Sequence, residues 1–138
     1  GVDEINASTA SKSSTIDLRN ATLNNEVGGG GFITEINGEY KGFTIAYNST
    51  GDCIIENAIG SNFNDRITGN EYSNTIYGLS GDDEIFARGG SDFIYGGFGD
   101  DIIHGSFFGD SNNSIDTLTG GSGSDFFVLG DSSGLNNL

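Results

Sequence analysis

The chain has no proline, methionine or tryptophan, one cysteine, one histidine and only five lysines and arginines among 138 residues. Each shortage excludes something. Cys53 alone cannot close an intramolecular disulfide, so no disulfide framework holds the fold. One histidine and one cysteine cannot supply the usual ligands of zinc. Five basic against 20 acidic residues leave a formal charge of -15. That is the opposite of the basic footprint a nucleic-acid binder needs, and it is ill suited to anionic lipid. No apolar run approaches the roughly 20 residues of a membrane span, and no signal-peptide pattern is present. The missing initiator methionine predicts a fragment or a processed product. Hydrophobic residues make up 34% of the chain, and high net charge with few apolar residues is close to a disordered composition. The length suits one modest domain, but something other than a large core must hold it together. The surplus acid points to a cation.

What is abundant is glycine, 24 residues, and it is phased. From Gly60 the chain divides into nine-residue units starting at Gly60, Gly69, Gly78, Ala87 and Gly96; a 15-residue unit follows over 105–119, then a final nine over 120–128. The sixth place holds Asp65, Asn74, Asp83, Asp92, Asp101 and Asp125, and the eighth holds Ile67, Ile76, Ile85, Ile94, Ile103 and Phe127. The long unit ends alike, with Asp116 and Leu118. The units resemble the calcium-binding β-helix repeat G-G-x-G-x-D-x-U-x.

The physics is legible in one unit. Glycines in the first places allow the positive φ angles of a tight turn. The last three residues are rich in Ile, Tyr and Phe, which suit a short strand, and only the middle one points inward. Two units make one coil, so units 18 residues apart stack on the same side. The expected fold is all-β, a right-handed parallel β-roll (a β-solenoid) with two facing isoleucine ladders. Burying each isoleucine contributes about 1.5–3 kcal/mol, against roughly 1–2 kcal/mol per residue of backbone ordering. The apolar ladder alone is too weak to fold the chain.

Stacking also superimposes the aspartates. Asp65, Asp83, Asp101 and Asp125 fall along one edge, and Asn74, Asp92 and the long unit along the other. Carboxylates one strand spacing apart repel unless a cation lies between them. Calcium suits such rows, taking six to eight hard oxygens at about 2.3–2.6 Å, carbonyls included; magnesium prefers water and a stricter octahedron.

These repeats resemble the RTX family of calcium-binding β-roll proteins. The segments GVDEINAS (1–8), TIDLRNATL (15–23) and IIENAIGSNFND (54–65) are similar to the lead-in of the C-terminal β-roll domain of serralysin-type secreted metalloproteases. The closing FFVLGDSSG (126–134) looks like the end of repeat blocks in other large exported proteins. The resemblance implies that calcium lies between turns two units apart. The earlier turn gives the carbonyls of places two and four and its aspartate; the later turn gives those of places one and three and its aspartate. Carried over, the best site joins Leu79, Gly81 and Asp83 to Gly96, Phe98 and Asp101. A second joins Ser61, Phe63 and Asp65 to Gly78, Ser80 and Asp83. A third joins Gly97, Gly99 and Asp101 to Gly120, Ser122 and Asp125, provided the inserted residues loop out. On the other edge, Asn70, Tyr72 and Asn74 face Ala87, Gly89 and Asp92, a weak or empty site because Asn74 replaces a charged ligand. Arg88, Gly90 and Asp92 pair with Gly105, Phe107 and either Asp110 or Asp116. Asp3 and Glu56, with Gly1 and the carbonyl of Ile54, match an extra site near the start of the family's roll. Three to five calcium ions follow.

The remaining residues carry less. His104, at the ninth place beside inward Ile103, should face outward as a surface residue. Cys53, in the apolar run CII, reads as a buried inert thiol. GGGG at 28–31 lacks the P-loop lysine and the dinucleotide spacing, so it reads as a loop. Asp110–Ser114 lacks the glycine and distal glutamate of an EF-hand, and N-x-S/T triplets are common in so Asn- and Ser-rich a chain. Thr15–Leu18, Gly42–Tyr47 and Cys53–Ile55 read as strands, and Asn20–Gly31 and Asn48–Asp52 as loops. Residues 1–59 are expected to form irregular N-terminal coils or a cap, 60–128 the repeats, and 129–138 a polar tail.

The expected function is that of a non-catalytic calcium-binding module of a secreted or cell-surface bacterial protein. The resemblance implies export through type I secretion machinery and folding on calcium outside the cell. Two alternatives stand beside it. One is the C-terminal part of a serralysin-like zinc protease; no HExxH occurs in this chain, so the chain itself is expected to be inert. The other is an S-layer, matrix or adhesive domain, with Tyr77, Phe86 and Tyr95 as outward aromatics for a glycan or a partner, or simply as strand formers.

Overall fold

The computed structural model describes residues 1–19, 31–36, 39–44, 54–106 and 114–129. The last three residues of each repeat unit begin a strand: β6 (Arg66–Thr68), β7 (Thr75–Ser80), β8 (Glu84–Arg88), β9 (Phe93–Phe98), β10 (Ile102–Ser106), β11 (Thr117–Ser122) and β12 (Phe126–Val128). Before them lie β1 (Glu4–Asn6), β2 (Ser14–Asp17), β3 (Gly31–Ile36), β4 (Glu39–Thr44) and β5 (Asn57–Ile59). Successive repeats alternate between two sheets, ordered β1-β5-β7-β9-β11 and β12-β10-β8-β6-β2-β3-β4. Every pair from β5 to β12 is parallel. The described residues contain strands and no helix, and the repeats form a parallel β-roll of about three turns.

The register follows the repeat. Ile67 pairs with Ile85, Ile85 with Ile103, and Ile76 with Ile94. The long unit is absorbed without a slip, because Leu118 pairs with Ile94 and Phe127 with Ile103. A one-residue slip would turn every isoleucine outward. Ile5 and Ala58 extend one ladder and Ile16 the other, and all of these isoleucines are buried. Phe127 departs from its expected place: it is 39% exposed. Its strand is the last of its sheet among the described residues, so the ring is covered from one side only.

The N-terminal part differs from a simple series of coils. β1 and β2 do stack in parallel on β5 and β6. β3 and β4 instead form an antiparallel pair laid along β2. That pair covers a strand edge that would otherwise present unpaired backbone groups. Ile54 and Ile55 lie outside any strand, and the strand expected there begins at Asn57. Cys53, Asn20–Gly30, Asn48–Asp52, residues 45–47 and 130–138 fall outside the described residues.

Positive φ angles occur at places two and four of the turns, not at place one. Leu79 and Arg88 (φ 81° and 75°) and Gly97 and Gly121 hold place two; Gly81, Gly90, Gly99 and Gly123 hold place four. These turns lie directly over one another. A Cβ on Gly99 would collide with the carbonyl of Gly81, and one on Gly97 with the carbonyl of Leu79. Left-handed backbone and close approach therefore both demand glycine there, and Leu79 and Arg88 tolerate strain instead.

Candidate metal centre

Place six immediately precedes each strand, on the edge of the roll. The backbone N–H of Asp65 donates to Asp83 Oδ1 at 2.7 Å, that of Asp83 to Asp101 Oδ1 at 2.9 Å, and that of Asp101 to Asp125 Oδ1 at 3.1 Å. On the other edge Asn74 N–H donates to Asp92 Oδ1 at 2.7 Å, and Asp92 N–H to Asp116 Oδ1 at 3.1 Å. One carboxylate oxygen of each aspartate thus satisfies the coil before it, and the two expected rows are physically continuous. Asp116 occupies the position in register with Asp92; Phe107 and Asp110 fall outside the described residues. Gly105 lies in β10, and a Cβ there would approach Leu118 and Asp116.

The second oxygens decide what the row can hold. Asp83 Oδ2 and Asp101 Oδ2 are buried and accept no hydrogen bond, although their residues are only 2% and 1% exposed. Each faces the α-carbon of its own place-one glycine and a carbonyl of the next coil. A Cβ on Gly78 would strike both Asp83 Oδ2 and the carbonyl of Gly96, and a Cβ on Gly96 both Asp101 Oδ2 and the carbonyl of Gly120. At Gly78 and Gly96 glycine leaves room for a carboxylate and a carbonyl to face one another; Ala87 is the exception at place one. An unmatched buried carboxylate oxygen is costly. Burial, with the neighbouring charges of Asp65, Asp101 and Asp82, pushes the Asp83 carboxyl up to about 8. Burial also raises Asp65 and Asp101.

Asp65 differs. Its Oδ1 accepts from Ser14 N–H at 2.6 Å and Ser61 Oγ–H at 2.8 Å, and its Oδ2 accepts from Ser61 N–H. The carbonyls named above also lie in the stacked turns. Those of Phe98, Ser122, Ser61 and Asn70 accept from Gly81, Gly99, Ser80 and Gly89 at 2.8, 2.9, 3.4 and 3.1 Å. A carbonyl keeps a second lone pair after one such bond. Phe63 and Tyr72 carbonyls abut Gly81 and Gly90 in the next coil.

The donors fit calcium. They are hard oxygens, two carboxylates and several carbonyls to a site. Among the described residues no three His, Cys, Asp or Glu side chains converge on one point, so carbonyls must supply most of any coordination shell. At the N-terminal pair, Asp3 N–H donates to Glu56 Oε2 at 2.8 Å, while the Asp3 carbonyl accepts from Glu56 and Asn57. The two residues are together, joined through backbone.

One feature of the edge escaped the sequence reading. Place five forms an outer ladder beside the inner one. Asp82 N–H donates to Asn64 Oδ1, Asp100 N–H to Asp82 Oδ1, and Ser124 N–H to Asp100 Oδ1, at 3.0, 2.9 and 2.7 Å. Ser91 and Ile115 N–H donate in the same way to Ser73 and Ser91 Oγ. The signal was present: place five is Asn, Ser or Asp in all six nine-residue units that hold Asp or Asn at place six.

Comparison with family models matches the RTX calcium-binding nonapeptide repeat in four copies, over residues 59–94, 80–111 and 111–133. Comparison with curated protein sequences gave no match. The matched stretch runs from 59 to 133, more than half of the chain, and covers the units whose glycines, aspartates and isoleucines build the stacked edge. The chain belongs to the RTX calcium-binding nonapeptide repeat family.

Proposed function

We propose that this chain is a non-catalytic module of a secreted bacterial protein that folds on calcium after export and stabilises its parent. The observation that carries the reading is the pair of buried, unmatched oxygens on Asp83 and Asp101. Leu79, Gly81, Asp83, Gly96, Phe98 and Asp101 would hold the principal ion. Ser61, Phe63, Asp65, Gly78, Ser80 and Asp83 would hold a second, weaker because Asp65 is already engaged by Ser14 and Ser61. Gly97, Gly99, Asp101, Gly120, Ser122 and Asp125 would hold a third. On the other edge Arg88, Gly90 and Asp92 would act with Gly105 and Asp116, and Asp3 and Glu56 would form a further site.

Bound calcium supplies the positive charge that lets these carboxylates stay ionised while buried. The chain's own residues do the rest. Place-one glycines open the gap, place-two and place-four residues aim carbonyls at it, and the isoleucine ladders hold the coils in register. Without the ion the charges repel, and a loose acidic chain suits passage through a type I secretion channel. Binding energy is then folding energy. Circular dichroism during a calcium titration from EDTA tests this. β signal that grows with calcium in the range of about 10⁻⁴–10⁻³ M supports it; full signal in EDTA overturns it. The lead-in segments 1–8, 15–23 and 54–65 favour a serralysin-like parent, which an upstream H-E-x-x-H in the gene would establish.

A second reading has an observation of its own. Tyr77, Phe93, Tyr95 and Phe98 are exposed on one sheet face around a cleft of about 440 Å³. The Tyr77 ring lies 6.3 Å from Phe93 and 6.4 Å from Tyr95. Phe86 does not belong to this shelf: it sits on the other sheet between His104, stacked at 4.2 Å, and Arg66 at 4.4 Å. Such a shelf suits the apolar face of a neutral sugar, since a chain of charge -15 repels acidic polysaccharides. Retention on neutral glycans at fixed calcium, lost in Tyr95→Ala, supports it; equal retention of both overturns it.

A further inference from the structure

We infer that the interval of this roll between segment 54–56 and the turn 69–74 is closed by side-chain amides in place of a cation, and that this closure holds without calcium as a platform for the later coils. Asn70 and Asn74 are 6% and 2% exposed. Asn74 Nδ2 donates to the carbonyl of Glu56 at 3.0 Å and to Asn70 Oδ1 at 3.1 Å. Asn70 Nδ2 donates to the carbonyls of Ile55 at 2.8 Å and Leu18 at 3.2 Å. The acceptors are filled too: Asn74 Oδ1 by Asn70 N–H at 2.8 Å, and Asn70 Oδ1 by Tyr72 N–H at 2.9 Å. All four amide hydrogens and both oxygens are used, so the pair leaves no unmet charge or donor.

The reason lies in the preceding coil. Along the repeats, each place-six residue offers a backbone N–H to the next carboxylate. Glu56, at the equivalent position, gives its N–H to the Asp3 carbonyl at 3.2 Å instead, while its own carbonyl accepts from Thr75 N–H at 3.3 Å, as the other place-six carbonyls do from the next coil, and also from Asn74 Nδ2 at 3.0 Å. A carboxylate there would set oxygen against oxygen; an amide sets a donor against it. The contrast is with Asp83 and Asp101, whose unmatched oxygens require a partner from outside the chain. Asn74 is thus a self-sufficient closure, and the clamp joins three carbonyls from two N-terminal segments to the turn 69–74. The platform rests on the calcium reading only for what happens beyond it.

Hydrogen exchange of the whole chain, read by mass spectrometry in calcium and in EDTA, tests the inference. In EDTA, Asn57–Ile59 and Thr75–Tyr77 should stay protected while Phe93–His104 and Thr117–Val128 lose protection. Asn74→Asp should speed exchange at Asn57–Ile59 at least tenfold in EDTA. Should Asn74→Asp fail to fold even in calcium, Asn70→Ala, which removes the donors to Leu18 and Ile55 and the acceptor for Tyr72 N–H and Asn74 Nδ2, should show the same local acceleration. Loss of protection at 57–59 and 75–77 in the unmodified chain together with the rest overturns the platform and leaves the calcium reading standing. Protection of every coil in EDTA overturns the calcium reading; the platform then stands if the variants speed exchange at 57–59 and falls if they do not.

Discussion

The backbone N–H of Asp83 donates to Oδ1 of Asp101, 18 residues on, at 2.9 Å, while Oδ2 of both residues is buried without a hydrogen bond. The same side chain therefore has two duties. One oxygen spaces the coils, and the other is left without a donor. Four expectations follow from that division and from the backbone that frames it.

Asp83→Asn keeps the Oδ1 acceptor and removes the charge. Calcium affinity should fall by about tenfold or more. The β content in EDTA should hold or rise, because a buried charge has been removed. Isothermal titration and circular dichroism read the two effects separately; a drop in both would assign Asp83 a purely structural part.

In chelator the roll should weaken as pH rises. The Asp83 carboxyl is pushed from 3.8 to about 8 by burial first and by its acidic neighbours next. A folded-state value above the unfolded one means the folded chain holds the proton more tightly. That contribution to stability is full below pH 3.8 and is lost progressively up to about 8. Asp65 and Asp101 are shifted in the same direction. Thermal melts in EDTA should be higher at about pH 5.5 than at about pH 8. With saturating calcium the order should reverse, because binding requires the ionised form.

Gly99→Ala should cost roughly 1–3 kcal/mol even with calcium present. Gly99 has φ of 132°, and a Cβ there meets the carbonyl of Gly81, which cannot move without shifting a coil. Urea unfolding in calcium measures it; a change within about 0.5 kcal/mol would show the turns to be more loosely stacked than described.

Ile85→Ala should cost about 2–5 kcal/mol. Ile85 is fully buried between Ile67 and Ile103, in a core one side chain deep that has little means of collapsing into the gap. The same unfolding assay applies, and a loss below about 1 kcal/mol would mean that the ladder contributes less than its burial implies.

The parallel roll, its register and the two aspartate rows were legible because a strict nine-residue phase carries them in single residues: glycine at the turn, aspartate before the strand, isoleucine within it. The exposure of Phe127 was not legible, since position eight looks the same in the last unit as in any other. Nor was the covering pair β3–β4, which follows no repeat. His104 faces away from Ile103 as expected, but it lies flat on Phe86 rather than in open solvent. That contact joins residues 18 apart and exists only once the coils are stacked.

The sequence by itself determined which residues share an edge, since spacing alone converts to stacking when every unit has one length and one inward residue. Only the tertiary structure decided how each edge residue is satisfied. Asp83 and Asp65 hold the same place in the repeat. Both take a backbone N–H of the coil before on Oδ1, but the second oxygen of Asp83 has no partner while that of Asp65 accepts from Ser61 N–H in its own turn, where the turn of Asp83 has Leu79 at a positive φ. Asn74 reads as a defective aspartate until the Glu56 carbonyl beneath it is seen. Hydrogen-bond polarity depends on which backbone group the neighbouring coil turns inward, and that is a property of the stacked chain rather than of the repeat.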